Sequence, residues 1–173
     1  MESLLENLKY TIPAVIVLLT AYFLLTKFFK NEENKRRYKL VLKNKSQTIP
    51  LRLQAYERMV LLLERISPES LLVRNSNPKI SNQDLQSVLL ADIRSEFEHN
   101  LAQQIYLSNE SWTVTKGAKE SIVKLINLSS SQVKPDGPSL ELSKAILENY
   151  VKIETSPISV AIEFLKKEVR QFF

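Results

Sequence analysis

The chain has 173 residues, with 24 lysines and arginines against 19 aspartates and glutamates, one histidine, two glycines and no cysteine. Without cysteine there are no disulfides and no thiolate metal sites, and two glycines leave little material for phosphate-cradling loops or tight hairpins. A net charge of +5 raises nucleic acid as a partner, so where the excess sits along the chain decides what it means.

Between Lys9 and Lys27 lie 17 residues without a charge. At ~1.5 Å per residue they cover roughly 25 Å of helix, and Phe28 and Phe29 extend the apolar length toward the ~30 Å of a bilayer core. Tyr10, Tyr22 and Phe23 suit the ends of such a span. A buried core helix is the poorer reading, since such helices are usually shorter or two-faced. A cleaved signal peptide is poorer too, because Glu2 and Glu6 precede the run and no small-residue cleavage site follows it. The expectation is a single transmembrane helix at 10–29 behind a short tail at 1–9.

A basic collar follows at 30–47. Lys27, Lys30, Lys35, Arg36, Arg37, Lys39, Lys43 and Lys45 face only Glu32 and Glu33, so the collar accounts for the whole net charge. Lysine and arginine stay on the cytoplasmic side of a span, which predicts the amino terminus outside and residues 48–173 inside a bacterial inner (plasma) membrane. Anionic lipid then explains the collar more simply than RNA or ribosome contact. Glu32 and Glu33 stand three or four residues before Lys35, Arg36 and Arg37, a spacing that supports helix. The anchor helix is expected to end near 46–48.

Thr48-Ile-Pro50 is read as the start of a second helix, capped by Thr48 or Ile49. It carries Leu51, Ala55, Met59, Leu62 and Ile66 on one stripe, widened by Leu53, Tyr56, Val60, Leu61 and Leu63, as suits the centre of a bundle. Ser67-Pro68 opens a short helix through Val73. Ser81 with Asp84 resembles a capping box and starts a helix running to about Leu107. Residues 108–111 cap the next, with Trp112, Thr115, Ala118, Ile122, Leu125 and Ile126 inward. Gly117 within it suggests close approach of a neighbouring helix. Residues 129–138 are the clearest loop and are expected to be mobile. Ser139 caps a helix bearing Leu142, Ala145, Ile146, Asn149 and Ile153, and Ser156-Pro157 opens the last one, with Ile158, Ala161, Ile162, Leu165, Val169 and Phe172 on one side. The terminal Phe172-Phe173 pair is expected to seal the core. No stretch alternates in the strand manner, so the fold is expected to be all-α, a bundle of about five or six helices in one domain at 48–173.

No constellation for catalysis emerges. Glu96 and His99 have the Glu-x-x-His spacing of di-iron bundles, but a second histidine does not exist in the chain. Glu57 with Glu64, or Asp92 with Glu96, is a solvated helix face more readily than an acid–base pair. No catalytic, cofactor-binding or metal-ligating residue is assigned, and neither a cofactor nor a small-molecule substrate is expected.

The segments LRLQAYERMVLLLERISPESLLVR at 51–74, SEFEHNLAQQIY at 95–106 and AIEFLKKEVRQFF at 161–173, together with the apolar helix, resemble an uncharacterised family of bacterial single-pass membrane proteins. The resemblance implies a bacterial inner-membrane setting and carries over no activity. The expected role is a membrane-anchored scaffold or accessory subunit of an inner-membrane assembly, with lipid and one or more inner-membrane or cytoplasmic proteins as partners. The alternative is a docking module that binds RNA, ribosome or anionic lipid through the collar. Candidate partner contacts are Arg52, Arg58, Arg65, Asp92, Glu96 and Glu98.

Overall fold

The computed structural model describes the backbone of residues 2–172, and the side chains of these except 2–12, 14, 41–42, 44–47 and 172. Among the described residues the secondary structure is helical: α1 (Glu2–Arg65), α2 (Pro68–Arg74), α3 (Asn82–His99), α4 (Asn109–Ser130), α5 (Ser139–Val151) and α6 (Pro157–Val169), with 3-10 turns at Leu101–Ile105 and Arg170–Phe172. The chain divides into two compact units, Met1–Thr48 and Ile49–Phe173.

In the first unit, every described side chain from Val15 to Phe29 is exposed, on all sides of the helix. Thr20 and Thr26 turn their hydroxyls back onto the carbonyls of Ile16 and of Tyr22 and Phe23. Among the described residues, no helix is long and apolar enough to cross a membrane. That finding overturns the transmembrane helix expected at 10–29, and with it the single-pass topology and the inner-membrane location. The uncharged run bounded by Lys9 and Lys27 is 17 residues long and covers roughly 25 Å against a ~30 Å hydrocarbon core. The side chains of Tyr10, Thr11, Ile12 and Ala14, on which the expected span also rested, lie outside those described.

The helix break expected at 46–50 is also absent, for α1 continues through Pro50. Proline's own φ is helical, so the chain loses one amide donor there without having to stop. The boundary between the two units falls directly before the Ile49-Pro50 pair.

The second unit buries one core. α1 contributes Ala55, Tyr56, Met59, Leu62 and Leu63, and Ile66 follows just past its end, the inner part of the expected stripe, while Leu51 and Leu61 face outward. α4 packs against α3, α5 and α6 through Ala118, Ile122, Leu125 and Ile126, and α2 lies on α5 and α3. The local start signals work as read. Ser67, Ser108 and Ser156 accept hydrogen bonds from the amides of Ser70, Ser111 and Ser159, and Ser81 and Asp84 form a reciprocal capping box.

Four local expectations are corrected. α3 stops at His99, eight residues early, because Asn100 turns its side-chain amide onto Glu96 O and its backbone amide onto Phe97 O, satisfying carbonyls that a longer helix would use. Leu101 and Ile105, read as its inner stripe, are exposed. Gly117 has no neighbour close to it, for a Cβ there would meet nothing within 4 Å. The loop before α5 begins only at Ser131, and it is pinned. Gln83 N donates to Pro135 O at 3.1 Å, Asn82 N to Gly137 O at 2.9 Å and Ser139 N to Ile80 O at 3.3 Å. Ser139 is the first residue of α5 and donates its hydroxyl to Asn77 O, leaving Pro138 at the cap. Phe172 and Phe173 lie outside the described side chains.

Candidate docking groove

α1 and α6 leave an apolar groove of about 510 Å³ between them. Its α1 wall is Leu53, Tyr56, Glu57, Val60, Leu61 and Glu64, residues that recur at three- and four-residue steps and so share one side of a helix. The α6 wall is Leu165, Lys166, Val169 and Arg170. Tyr56 and Leu165 are buried at the floor, Val60 and Val169 are half-buried, and Leu61 stands 57 % exposed. The rims carry charge of opposite sign. Glu57 and Glu64 are exposed on the α1 side, and Lys166 and Arg170 on the α6 side. None of the four forms an ion pair within 4.0 Å with another described residue.

A polar clamp beside the groove fastens its α6 wall to the start of α4. Glu168 of α6 accepts hydrogen bonds from Ser108 Oγ at 2.9 Å and from Ser111 Oγ, both at the start of α4, beside the buried Tyr56 of α1. Arg52 adds a favourable charge and donates from Nε to Tyr106 O at 3.2 Å. Burial pushes the Glu168 carboxyl up, but the donations from Ser111 and Ser108, with the nearby Tyr56 hydroxyl and the Arg52 charge, together outweigh it and hold the carboxyl below its ordinary value. The amino terminus of α4 adds its own positive end. The carboxylate thus ties α6 to the start of α4.

The candidate contact residues fall into distinct places. Arg65 and Glu96 pair with each other at 2.6 Å. Asp92 pairs with Arg74 at 2.6 Å and accepts from Asn75 at 2.9 Å, while Arg74 also donates to Arg65 O. Burial pushes the Asp92 carboxyl up, and the bonds from Arg74 and Asn75 with the charges of Arg74 and Arg65 more than offset this, leaving it below its ordinary value. Arg52 belongs to the clamp, and Arg58 and Glu98 are exposed. In the collar, Lys27, Lys30, Lys35, Arg36, Arg37, Lys39 and Lys43 are exposed, and the side chain of Lys45 lies outside the described residues. Arg37 pairs with Glu33 at 2.8 Å and Lys35 with Glu32 at 3.5 Å, at the spacing anticipated. His99 is exposed, and among the described residues no group of three or more histidine, cysteine, aspartate or glutamate side chains is placed to hold a metal ion.

Sequence reasoning missed the clamp and the groove. Ser108 was legible as a cap, but its carboxylate lies 60 residues away. Glu57 and Glu64 were legible as one exposed flank of α1, and Lys166 and Arg170 as charges suited to the end of α6. That the two flanks face each other across an apolar floor has no one-dimensional signal.

A family model described as "Family of unknown function (DUF7935)" matches residues 2–172. No curated protein and no solved structure matches the chain.

Proposed function

Because the chain belongs to that family of unknown function, over both of its units, membership brings no activity with it, and we propose that the helical unit is a protein-docking module, an accessory or scaffold part with no chemistry of its own. The observation that supports the reading is the groove between α1 and α6, an apolar surface left open beside the packed core. An open apolar groove with charged rims is how helical domains commonly receive a partner segment. The rigid carboxylate clamp beside it suits the same role, since a preformed groove loses little freedom when it is filled.

Site-specific photo-cross-linking of the full chain in its own cells tests this. A photoreactive residue at Leu61 is expected to give a discrete heavier adduct. The same group at Val151, 83 % exposed at the end of α5, is expected to give none. No adduct at Leu61, or equal adducts at both positions, overturns the reading.

A further inference from the structure

We infer that the occupant of the groove is an amphipathic α-helix with basic residues along one flank and acidic residues along the other, an inference that rests on the docking reading above. The floor between the rims, Tyr56, Val60, Leu165 and Val169, is apolar, which calls for an apolar stripe on the partner. The rims then decide what flanks that stripe. Glu57 and Glu64 stand two turns apart on α1, roughly 10 Å along its axis, and Lys166 and Arg170 stand one turn apart on α6, roughly 6 Å. Exposed and without ion-pair partners among the described residues, they present a negative edge and a positive edge to whatever lies between.

A wholly basic helix meets attraction on one side and repulsion on the other, and a wholly acidic helix meets the reverse. Only a partner of mixed flanks is attracted on both sides, and only when it runs in one direction, because reversing the helix swaps its flanks against the rims. Apolar surface supplies affinity, while opposite rims select the partner and speed its approach.

The test uses the full chain and three synthetic peptides of about 18 residues, long enough to span the α1 wall, all with the same leucine stripe. One has lysine on one flank and glutamate on the other, one has lysine on both, and one has glutamate on both. Fluorescence anisotropy at low salt is expected to show the mixed peptide binding about tenfold tighter than either of the others, with the preference shrinking as salt rises. In the variant Glu57→Lys/Glu64→Lys both rims are positive, and the all-glutamate peptide is expected to become the tightest. Both glutamates are exposed, so an unchanged thermal melt of the variant shows that the fold is intact.

Equal affinities for the three peptides, or an order that the variant leaves unchanged, overturns the inference. If no peptide binds while the Leu61 adduct still forms, the helical occupant is wrong and the docking surface stands. If neither is seen, both fall.

Discussion

The two glycines of the chain are expected to respond to the same substitution with opposite signs. At Gly117 an added Cβ meets nothing within 4 Å, and the residue lies exposed inside α4. Alanine there removes the helix penalty of glycine and its extra freedom in the unfolded chain, stabilising by about 0.5–1 kcal/mol. At Gly137 the Cβ would fall 2.7 Å from Asn82 Nδ2, 2.7 Å from Glu141 Oε2 and 3.2 Å from the Lys134 carbonyl. No glycine has a positive φ, so the cost at Gly137 is one of space and not of backbone conformation.

Glu141 is exposed and can swing away, whereas Asn82 is fully buried. Its amide donates to Lys134 O at 2.8 Å, and its carbonyl accepts from Leu142 N at 3.1 Å. Moving it strands a buried polar group, which costs about 1–3 kcal/mol, and the forced contact adds about 1 kcal/mol or more. After subtracting the unfolded-state gain, Gly137→Ala should destabilise by about 2 kcal/mol. At roughly 3 °C per kcal/mol for a chain of this size, the two variants should melt on opposite sides of the wild type, about 2–3 °C above and about 6 °C below. Trp112, half-buried and stacked on Phe97 at 5.2 Å, reports the same transition by fluorescence in urea. Gly137→Ala in an Asn82→Ala background should cost much less than in the wild type. A Gly137→Ala protein as stable as the parent refutes the close approach, and a destabilised Gly117→Ala refutes the open space around α4.

Three further outcomes are expected. Glu168 and Asp92 both sit below their ordinary values of 4.5 and 3.8 when folded, so the unfolded chain takes up protons first as pH falls. Their contribution is fully present above the ordinary values and is lost as pH drops through the lower folded ones; Glu168→Gln should therefore flatten the acid limb of a stability–pH profile measured by urea titration, and an unchanged limb argues against the clamp. Met59→Ala, in the closed core, should cost about 2–5 kcal/mol, whereas Leu61→Asp at the groove should stay within about 0.5 kcal/mol of the wild type; equal losses in chemical denaturation would mean that Leu61 is not on an open surface. A double-mutant cycle on Arg65 and Glu96, 2.6 Å apart with Glu96 largely covered, should give a coupling of about 1 kcal/mol, and a value near zero would place that ion pair among those that contribute nothing.

From its sequence alone this chain declares its helical character, most helix starting points and much of the inner stripes, though Leu51, Leu101, Ile105 and Ile153, read as inward, are exposed. Serine caps at 67, 81, 108 and 156 work over three residues, and stripes such as Ala118 to Ile126 repeat along one helix, so both signals are complete within a single turn or face. Where local signals compete, the sequence misleads. Pro50 reads as a start and is passed through, Asn100 ends α3 where the apolar spacing runs on, and the apolar stretch before Lys27 reads as a membrane span although no described helix is long and apolar enough to be one.

Tertiary structure alone decides which distant groups share a space. It sets Glu168 against Ser108 and Ser111, Gly137 against Asn82, and the acidic edge of α1 across an apolar floor from the basic edge of α6. Such meetings depend on how helices lie against one another. Helix period and capping chemistry are properties of one segment and carry no record of its neighbours.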